Sequence, residues 1–294
     1  MTAIQLRGAP VAQRLAEGLA TDIAKLKAHG VTPGLVSVQV GENEASRIYR
    51  QQQEKKAAAL GIDYRRLDLP CDTTEEALAA ALSALNGDPL VNGIILQTPL
   101  PKGIDLDAMQ GMITAEKDVD GVTESNLGAV MTGRRGLYPS TALSAFELIL
   151  ASGVELKGKE AVVIGRSAIV SKPLAMMLVN RRVTVTMCHT GTQGAGMLDY
   201  HVRRAEILVV ATGQPQLIPG DWVREGAVVI DVGINYVNDA IVGDVEYAPA
   251  AERAAYITPV PGGVGPLTVT MLLRNTVEAT LRQRGIAGER SLAI

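Results

Sequence analysis

The sequence predicts an α/β protein of two domains, each built on a parallel sheet covered by helices. Three observations predict it. Short apolar runs alternate with helical patterns along the whole chain, as parallel strands buried on both faces require. Strands such as Leu35–Val40 and Glu160–Ile164 close on a glycine, Gly41 and Gly165, before the next helix. The 294 residues fill one large or two modest domains. No internal repeat, low-complexity tract or Ser/Gly linker separates them, so helices are expected to join the domains.

Residues 8–29 carry an amphipathic helical pattern that ends at Gly30, and Leu35–Val40 reads as a buried strand. The run from Glu44 to Leu60 is a helix stopped by Gly61, and Asp63–Leu69 is a short strand. Thr73 to Asn86 is a helix with Thr73 or Thr74 as its N-cap and Glu75 and Glu76 in its first turn. Gly93–Gln97 is a buried strand that ends in the turn Pro99-Leu100-Pro101. A second βαβ series follows: a helix at 141–152, the strand Glu160–Ile164, a helix to about 180, and strands at 183–187, 207–211 and 227–231. The final helix spans about 268–284 and is expected to pack back on the first domain, leaving 288–294 as a mobile tail.

Composition excludes several function classes. With 47% hydrophobic and 20% charged residues the chain is an ordinary globular protein with ample core material. A net charge of −3 offers no global attraction to nucleic acid or an anionic membrane, and the paired arginines, such as Arg65-Arg66 and Arg203-Arg204, read as solvated surface. No segment approaches the roughly 18 apolar residues of a membrane span, and the N-terminus lacks the basic-then-apolar order of a secretory signal. Cys71 and Cys188 show neither a disulfide framework nor metal-ligand spacing, so no metal site is expected and the cytoplasm is indicated.

The second half carries a nucleotide pattern. Val162-Val163-Ile164 runs into Gly165-Arg166-Ser167 and a helix, whose first N–H groups and positive dipole end suit a phosphate. Read alone, this turn fits an ordinary strand–helix connection equally well. The next strand ends at Met187-Cys-His189-Thr190-Gly191-Thr192, where a Rossmann-type unit reads the adenosine ribose. No acidic residue stands there to favour NAD, which leans to NADP with Arg166 as the candidate for the 2′-phosphate; NAD remains the alternative cofactor. His189 reads as a loop histidine without a role. Thr212-Gly213 and Gly233-Ile234 also follow strands, at the carboxyl ends where open sheets bind ligands.

Four segments, in order, resemble the signature motifs of the methylenetetrahydrofolate dehydrogenase/methenyltetrahydrofolate cyclohydrolase family. Gly93-Ile-Ile-Leu-Gln97-Thr-Pro99-Leu100-Pro101 resembles GIxVQLPLP, and Lys117-Asp118-Val119-Asp120-Gly121 resembles KDVDG. Gly165-Arg166-Ser167 fits GRSxxVGxP, and Thr258 to Thr268 resembles TPVPGGVGPMT almost letter for letter. The helix carrying Tyr49 resembles a fifth motif, in which a Tyr is followed four residues later by a catalytic Lys. The resemblance implies a folate-binding α/β domain at 1–140 plus 268–294, a Rossmann-type NAD(P) domain at 141–267, a folate cleft between them, and a homodimer. It implies Tyr49, Gln53, Gln97 and Asp120 at the reacting centre, with Tyr49 as a packing surface and Asp120 on the pterin's aminopyrimidine edge. Pro99, Leu100, Pro261, Gly262 and Gly263 would complete the substrate site. Gly165, Arg166, Ser167, Thr190, Thr212, Gly213, Ile234 and Thr268 would hold the cofactor.

The sequence departs from the pattern at one chemically decisive position. Gln53 stands where the family has its Lys, and an amide does not titrate in the working range, so it cannot accept and return a proton. Lys55 and Lys56 lie about 200° and about 300° around the helix from Gln53. Ser140 replaces the cysteine of the family's PCTPxG motif, Ser171 replaces a glycine where a helix packs on the sheet, predicting looser packing, and Gly191 replaces a basic residue. The expectation is an NADP-linked dehydrogenase acting on a reduced folate with cyclohydrolase activity reduced or absent. The alternatives are a fully bifunctional enzyme, a non-catalytic folate-binding paralogue, and a dehydrogenase for another one-carbon carrier.

Overall fold

The computed structural model describes residues 2–287; the expected mobile tail at 288–294 lies outside them. In chain order the elements begin with β1 (Ile4–Gln5), α1 (Gly8–Ala28), β2 (Gly34–Val40), α2 (Glu44–Leu60), β3 (Asp63–Leu69), α3 (Glu75–Gly87) and β4 (Gly93–Leu96). Next come α4 (Leu106–Gly111), α5 (Glu124–Thr132), α6 (Ser140–Ala151), β5 (Glu160–Ile164), α7 (Ser171–Asn180), β6 (Thr184–Cys188), α8 (Thr190–Gly194) and α9 (Leu198–Val202). The last are β7 (Ile207–Val210), β8 (Val228–Asp231), β9 (Asn235–Val237), β10 (Ala240–Val242), α10 (Tyr247–Arg253), β11 (Tyr256–Ile257) and α11 (Gly265–Gln283).

These elements form two compact units, residues 14–140 with 269–287 and residues 2–13 with 141–268. The first thirteen residues therefore leave the domain to which the sequence reading assigned them. The reason is strand pairing: β1 runs parallel to β11, with Ile4 opposite Tyr256, and Ala3 joins the core of that unit. A two-residue strand has no periodicity to read.

In the first unit the parallel sheet has the order β3-β2-β4. Alternation along a strand sorts its side chains onto two faces. Val36, Val38 and Val40 of β2 join Ile94 and Leu96 of β4 against Leu78 and Leu82 of α3. Leu35 and Ile95 face the other way and pack with Ala57 of α2, Leu26 of α1 and Leu272, Leu273 and Val277 of α11. The same alternation sends Ser37 and Gln39 of β2, Tyr64, Arg66 and Asp68 of β3, and Gln97 just after β4 to the α2 face. Asn43 caps α2 through its side chain, and Thr74 caps α3.

The second unit holds a parallel six-stranded sheet of order β1-β11-β8-β7-β5-β6, with β9 and β10 as a separate antiparallel hairpin. The order reverses between β5 and β7, so the loops after β5, β6, β7 and β8 emerge at the carboxyl edge around a topological switch point. Ser171 is fully buried at the start of α7, and a Cβ on Gly165 would collide with its hydroxyl.

Helix α11 secures the first unit with one buried amide. Asn275, 1% exposed, donates from Nδ2 to the carbonyls of Val119 at 2.8 Å and Tyr138 at 2.9 Å. Asn275→Ala strands both acceptors and is expected to cost about 2–3 kcal/mol. Urea unfolding should show a lower midpoint at unchanged slope, and a loss under about 0.5 kcal/mol would refute the anchoring role.

Candidate active site

The face of α2 turned to the sheet carries Tyr49, Arg50 and Gln53. Tyr49 is half-buried against the core formed by α1, α2 and α11. Ser46, one turn earlier, donates to the carbonyl of Thr98 at 3.0 Å and ties the helix to the turn holding Pro99 and Leu100. Pro99 is exposed, while Leu100 packs partly into the core on the α3 side. The peptide before Pro99, like that before Pro261, is cis.

Gln53 has no exposed surface. Its Oε1 accepts from the Tyr64 hydroxyl at 2.9 Å and from Gln97 Nε2 at 3.4 Å, and Gln97 Nε2 also donates to Ser37 Oγ at 3.0 Å. Its own Nε2 has no hydrogen-bond partner. A buried donor left unmade costs about 1–3 kcal/mol. Arg50, 5% exposed, donates from Nη1 to Gln39 Oε1 at 2.7 Å and to Asp68 Oδ1 at 2.5 Å. Burial is the largest influence on the Tyr64 phenol and pushes its pKa up, against the lowering effects of Ser37, Arg50 and Arg66.

Two lysines follow Gln53 on α2. Lys55 is exposed, and Lys56 Nζ reaches Thr270 Oγ1 of α11 at 3.4 Å. Burial lowers the Lys56 pKa and favours its neutral amine.

The Lys117–Gly121 loop separates structural from available groups. Lys117 Nζ donates to the carbonyls of Leu85, Asn86 and Asp88 and closes the C-terminus of α3. Asp118, fully buried, accepts from the backbone of Gly121 at 2.9 Å and Thr123 at 2.8 Å and from Asn126 Nδ2 at 2.9 Å. Asp120 is different: Ser140 at the start of α6 hydrogen-bonds its carboxyl, while desolvation first and the Asp118 charge second push its pKa up to about 6. The residue keeps some exposed area, but its carboxyl is surrounded by protein.

In the other unit, the turn after β5 leaves Arg166 exposed, with no ion pair among the described residues, and Ser167 Oγ accepts from Ile169 N at 3.3 Å. Thr190 is the exposed first residue of α8. His189, expected to be idle, caps that helix: its Nδ1 accepts from Gly191 N at 3.1 Å and Thr192 answers with its hydroxyl. Ile234 is 58% exposed, and Thr268 donates its hydroxyl back to Gly265 O at 2.8 Å. Pro261 is exposed, and Gly262 O accepts from Gly8 N at 2.9 Å while Gly263 is packed against Thr258 and Pro259. The backbone N–H groups of Thr212 and Gly213 are already committed, because both donate to Asp244 Oδ2, at 2.6 and 3.0 Å.

Sequence reasoning missed Asp231, Asp244, Tyr64 and Arg50. Asp231 accepts from Gly233 N, Asp244 N and Val245 N, yet desolvation outweighs those donors and its pKa rises to about 6. Strand alternation could have found Tyr64, since it shares a face with Arg66 and Asp68 opposite Leu67 and Leu69. Among the described residues, no three His, Cys, Asp or Glu side chains lie close enough to hold a metal ion, and no helix is long and apolar enough to cross a membrane.

Comparison with known proteins gives a consistent result. The NAD(P)-binding domain of tetrahydrofolate dehydrogenase/cyclohydrolase matches residues 139–284, and the catalytic domain of the same family matches residues 6–120. The bifunctional protein FolD 2 of Geobacter sulfurreducens is 46% identical over 273 residues, covering 92% of this chain and 95% of that protein. The bifunctional protein FolD of Moorella thermoacetica is 45% identical over 283 residues, covering 96% of this chain and 100% of its own. The solved structure of the methylenetetrahydrofolate dehydrogenase-cyclohydrolase of Trypanosoma brucei, complexed with NADP cofactor and inhibitor, aligns with a TM-score of 0.91 at 39% identity, covering 97% of this chain and 99% of that one. The bifunctional enzyme of Campylobacter jejuni aligns with a TM-score of 0.92 at 38% identity, covering 96% and 99%.

The Asp120 environment has a measurable consequence. Its folded pKa of about 6 lies above the ordinary 3.8, so between those values the folded state binds more protons than the unfolded chain. Stability from this group therefore falls as pH rises through that window, by at most about 3 kcal/mol. Asp120→Asn is expected to be more stable than wild type near pH 7 and to lose that advantage near pH 4, as read by urea unfolding at both. Equal differences at the two pH values would contradict the raised pKa.

Proposed function

The chain belongs to the tetrahydrofolate dehydrogenase/cyclohydrolase family, and from that premise we propose that it oxidises 5,10-methylenetetrahydrofolate to 5,10-methenyltetrahydrofolate with NADP, with cyclohydrolase activity lost or much reduced. The observation that carries this reading is Gln53, a fully buried amide hydrogen-bonded to Tyr64 and Gln97 at the position of the family's Lys.

In this reading residues 14–140 with 269–287 bind the folate and residues 2–13 with 141–268 bind the cofactor. Tyr49 offers a ring face to the aminobenzoate and the reacting centre. Asp120, ionised in most molecules at neutral pH given its pKa of about 6, accepts from the pterin's aminopyrimidine N–H groups. Gln97 and Gln53 position the one-carbon bridge, and Pro99, Leu100 and the Pro261–Gly263 loop add apolar and backbone surface. Bound NADP supplies the acceptor for the hydride. Its support is the exposed, unpaired Arg166 beside the Gly165 turn, the neutral Thr190 and Thr192 where an acid would favour NAD, and a relative solved with NADP. Thr212 and Gly213 would shape that site by surface rather than by N–H donation, with Ser167, Ile234 and Thr268 as further walls.

The two reactions ask different things of the protein. Dehydrogenation needs orientation above all, worth about 7–11 kcal/mol in favourable systems, and a neutral site can supply it. Cyclohydrolysis adds water to the methenyl carbon and moves protons, a task in which a positioned acid or base contributes about 10²–10⁴-fold. Gln53 cannot titrate, and Lys56 is directed to Thr270. The second reading, a fully bifunctional enzyme, has the names of the bifunctional relatives in its favour. The working form is taken as a cytoplasmic homodimer, which sedimentation of purified protein checks.

Purified protein is expected to reduce NADP with methylenetetrahydrofolate while hydrolysing methenyltetrahydrofolate near the buffer rate. Gln53→Lys should raise that hydrolysis by at least about ten-fold. Efficient hydrolysis by wild type would establish the bifunctional reading instead, and folate binding without either turnover would leave a non-catalytic paralogue.

A further inference from the structure

The amide at position 53 is held by a closed set of hydrogen bonds. Gln97 Nε2 donates to Ser37 Oγ at 3.0 Å, the Ser37 hydroxyl acts on the Tyr64 phenol and lowers its pKa, and Tyr64 donates to Gln53 Oε1 at 2.9 Å. Gln97 Nε2 closes the ring on the same Gln53 oxygen at 3.4 Å. Gln53 Oε1 therefore receives two donors. With the oxygen held inward, Nε2 is left buried and without a partner.

Tyr64 is suited to that task. Burial raises its pKa, so its hydroxyl stays protonated and remains a donor at neutral pH. Arg50 lies three residues before Gln53 on the same helix face, held by Gln39 and Asp68. Its charge acts on the phenol and makes the O–H a stronger donor to the Gln53 oxygen.

Resting on the reading that Gln53 stands beside the one-carbon bridge of a bound folate, we propose that Tyr64 is a positioning residue for the dehydrogenase. Its hydroxyl pins the Gln53 amide and, through the oxygen they share, Gln97, so that the face of α2 carrying Tyr49 is held in one position for the reduced folate. Tyr64 acts only through Gln53, and this distinguishes it from a residue that merely supports the fold.

The test is a double-mutant cycle on the full chain with Tyr64→Phe, Gln53→Ala and the pair, reading kcat and the KM values for methylenetetrahydrofolate and NADP. Tyr64→Phe is expected to raise the folate KM about three- to ten-fold, the scale of one hydrogen bond, with the NADP KM unchanged. In the Gln53→Ala background the same change should add less than about two-fold. An equal effect in both backgrounds, or no effect on the folate KM, overturns the role of Tyr64. If Gln53→Ala itself leaves both KM values and kcat at wild-type levels, the placement of Gln53 at the folate fails instead. Should Tyr64→Phe not fold, Ser37→Ala tests the same ring, since it reaches Gln53 only through Tyr64 and Gln97. It should raise the folate KM alone and lose that effect beside Gln53→Ala, and any other pattern counts against the ring.

Discussion

A carboxylate with no exposed surface must be met by donors, and the folate-side unit is organised around one such group, Asp118. Its oxygens take the backbone N–H groups of Gly121 and Thr123 and the amide of Asn126. Gly121 has φ 73°, and a side chain there would collide with the backbone of Leu137 and Pro139, so the loop closes only on glycine. Asn126 extends the network to Ala115 and Leu137, and Thr123 caps α5. Residues 115–140 thus fold around one negative charge. That same charge, second to desolvation, raises the pKa of Asp120 two residues further on. One short motif supplies an acid that holds the loop and a second acid whose pKa the first one raises.

The nucleotide unit repeats the device with two carboxylates. Asp244 accepts from Thr212, Gly213 and Asn235, and Asp231 accepts from the backbone around Asp244. A Cβ on Gly233 would collide with the Asp244 carboxyl and one on Gly243 with that of Asp231, so both glycines are needed for the approach. The loops after β7 and β8 are therefore fixed from within. Their rigidity has a chemical consequence: N–H groups spent on Asp244 cannot also donate to a ligand.

Much of this was legible in the sequence because it rests on period and motif. The strands of both sheets, the α2 cap at Gly61 and the switch of pattern near residue 140 follow from short-range signals. What was not legible depends on pairing across sequence. β1 and β11 have two residues each and are defined by pairing, β1 with β11 and β11 with β8 as well, and the first of these pairings placed residues 2–13 in the other unit. His189 looked idle because a cap is a backbone relation. Asp244 fell outside any motif that the sequence reading used, and Asp231, at the end of β8, was read only for the glycine that follows it. Tyr64 could be read from the alternation along β3, but its partner Gln53 could not, because that contact joins a strand to a helix.

The surroundings of position 53 give a physical account of why an amide suits it. A Lys there would be a second cation on a face that already buries the Arg50 guanidinium, which has Asp68 as its partner. Desolvation and Arg50 would both depress its pKa and favour the neutral amine, the form that proton transfer to and from water requires. Gln53 removes the titration while keeping an acceptor for Tyr64 and Gln97. On the proposed reading the cost falls on water addition, which needs the proton carrier. Hydride loss from a methylene folate makes a cation instead, and a neutral lining imposes no like-charge repulsion as that charge develops. Replacing the amine by an amide would then separate the two reactions at one residue.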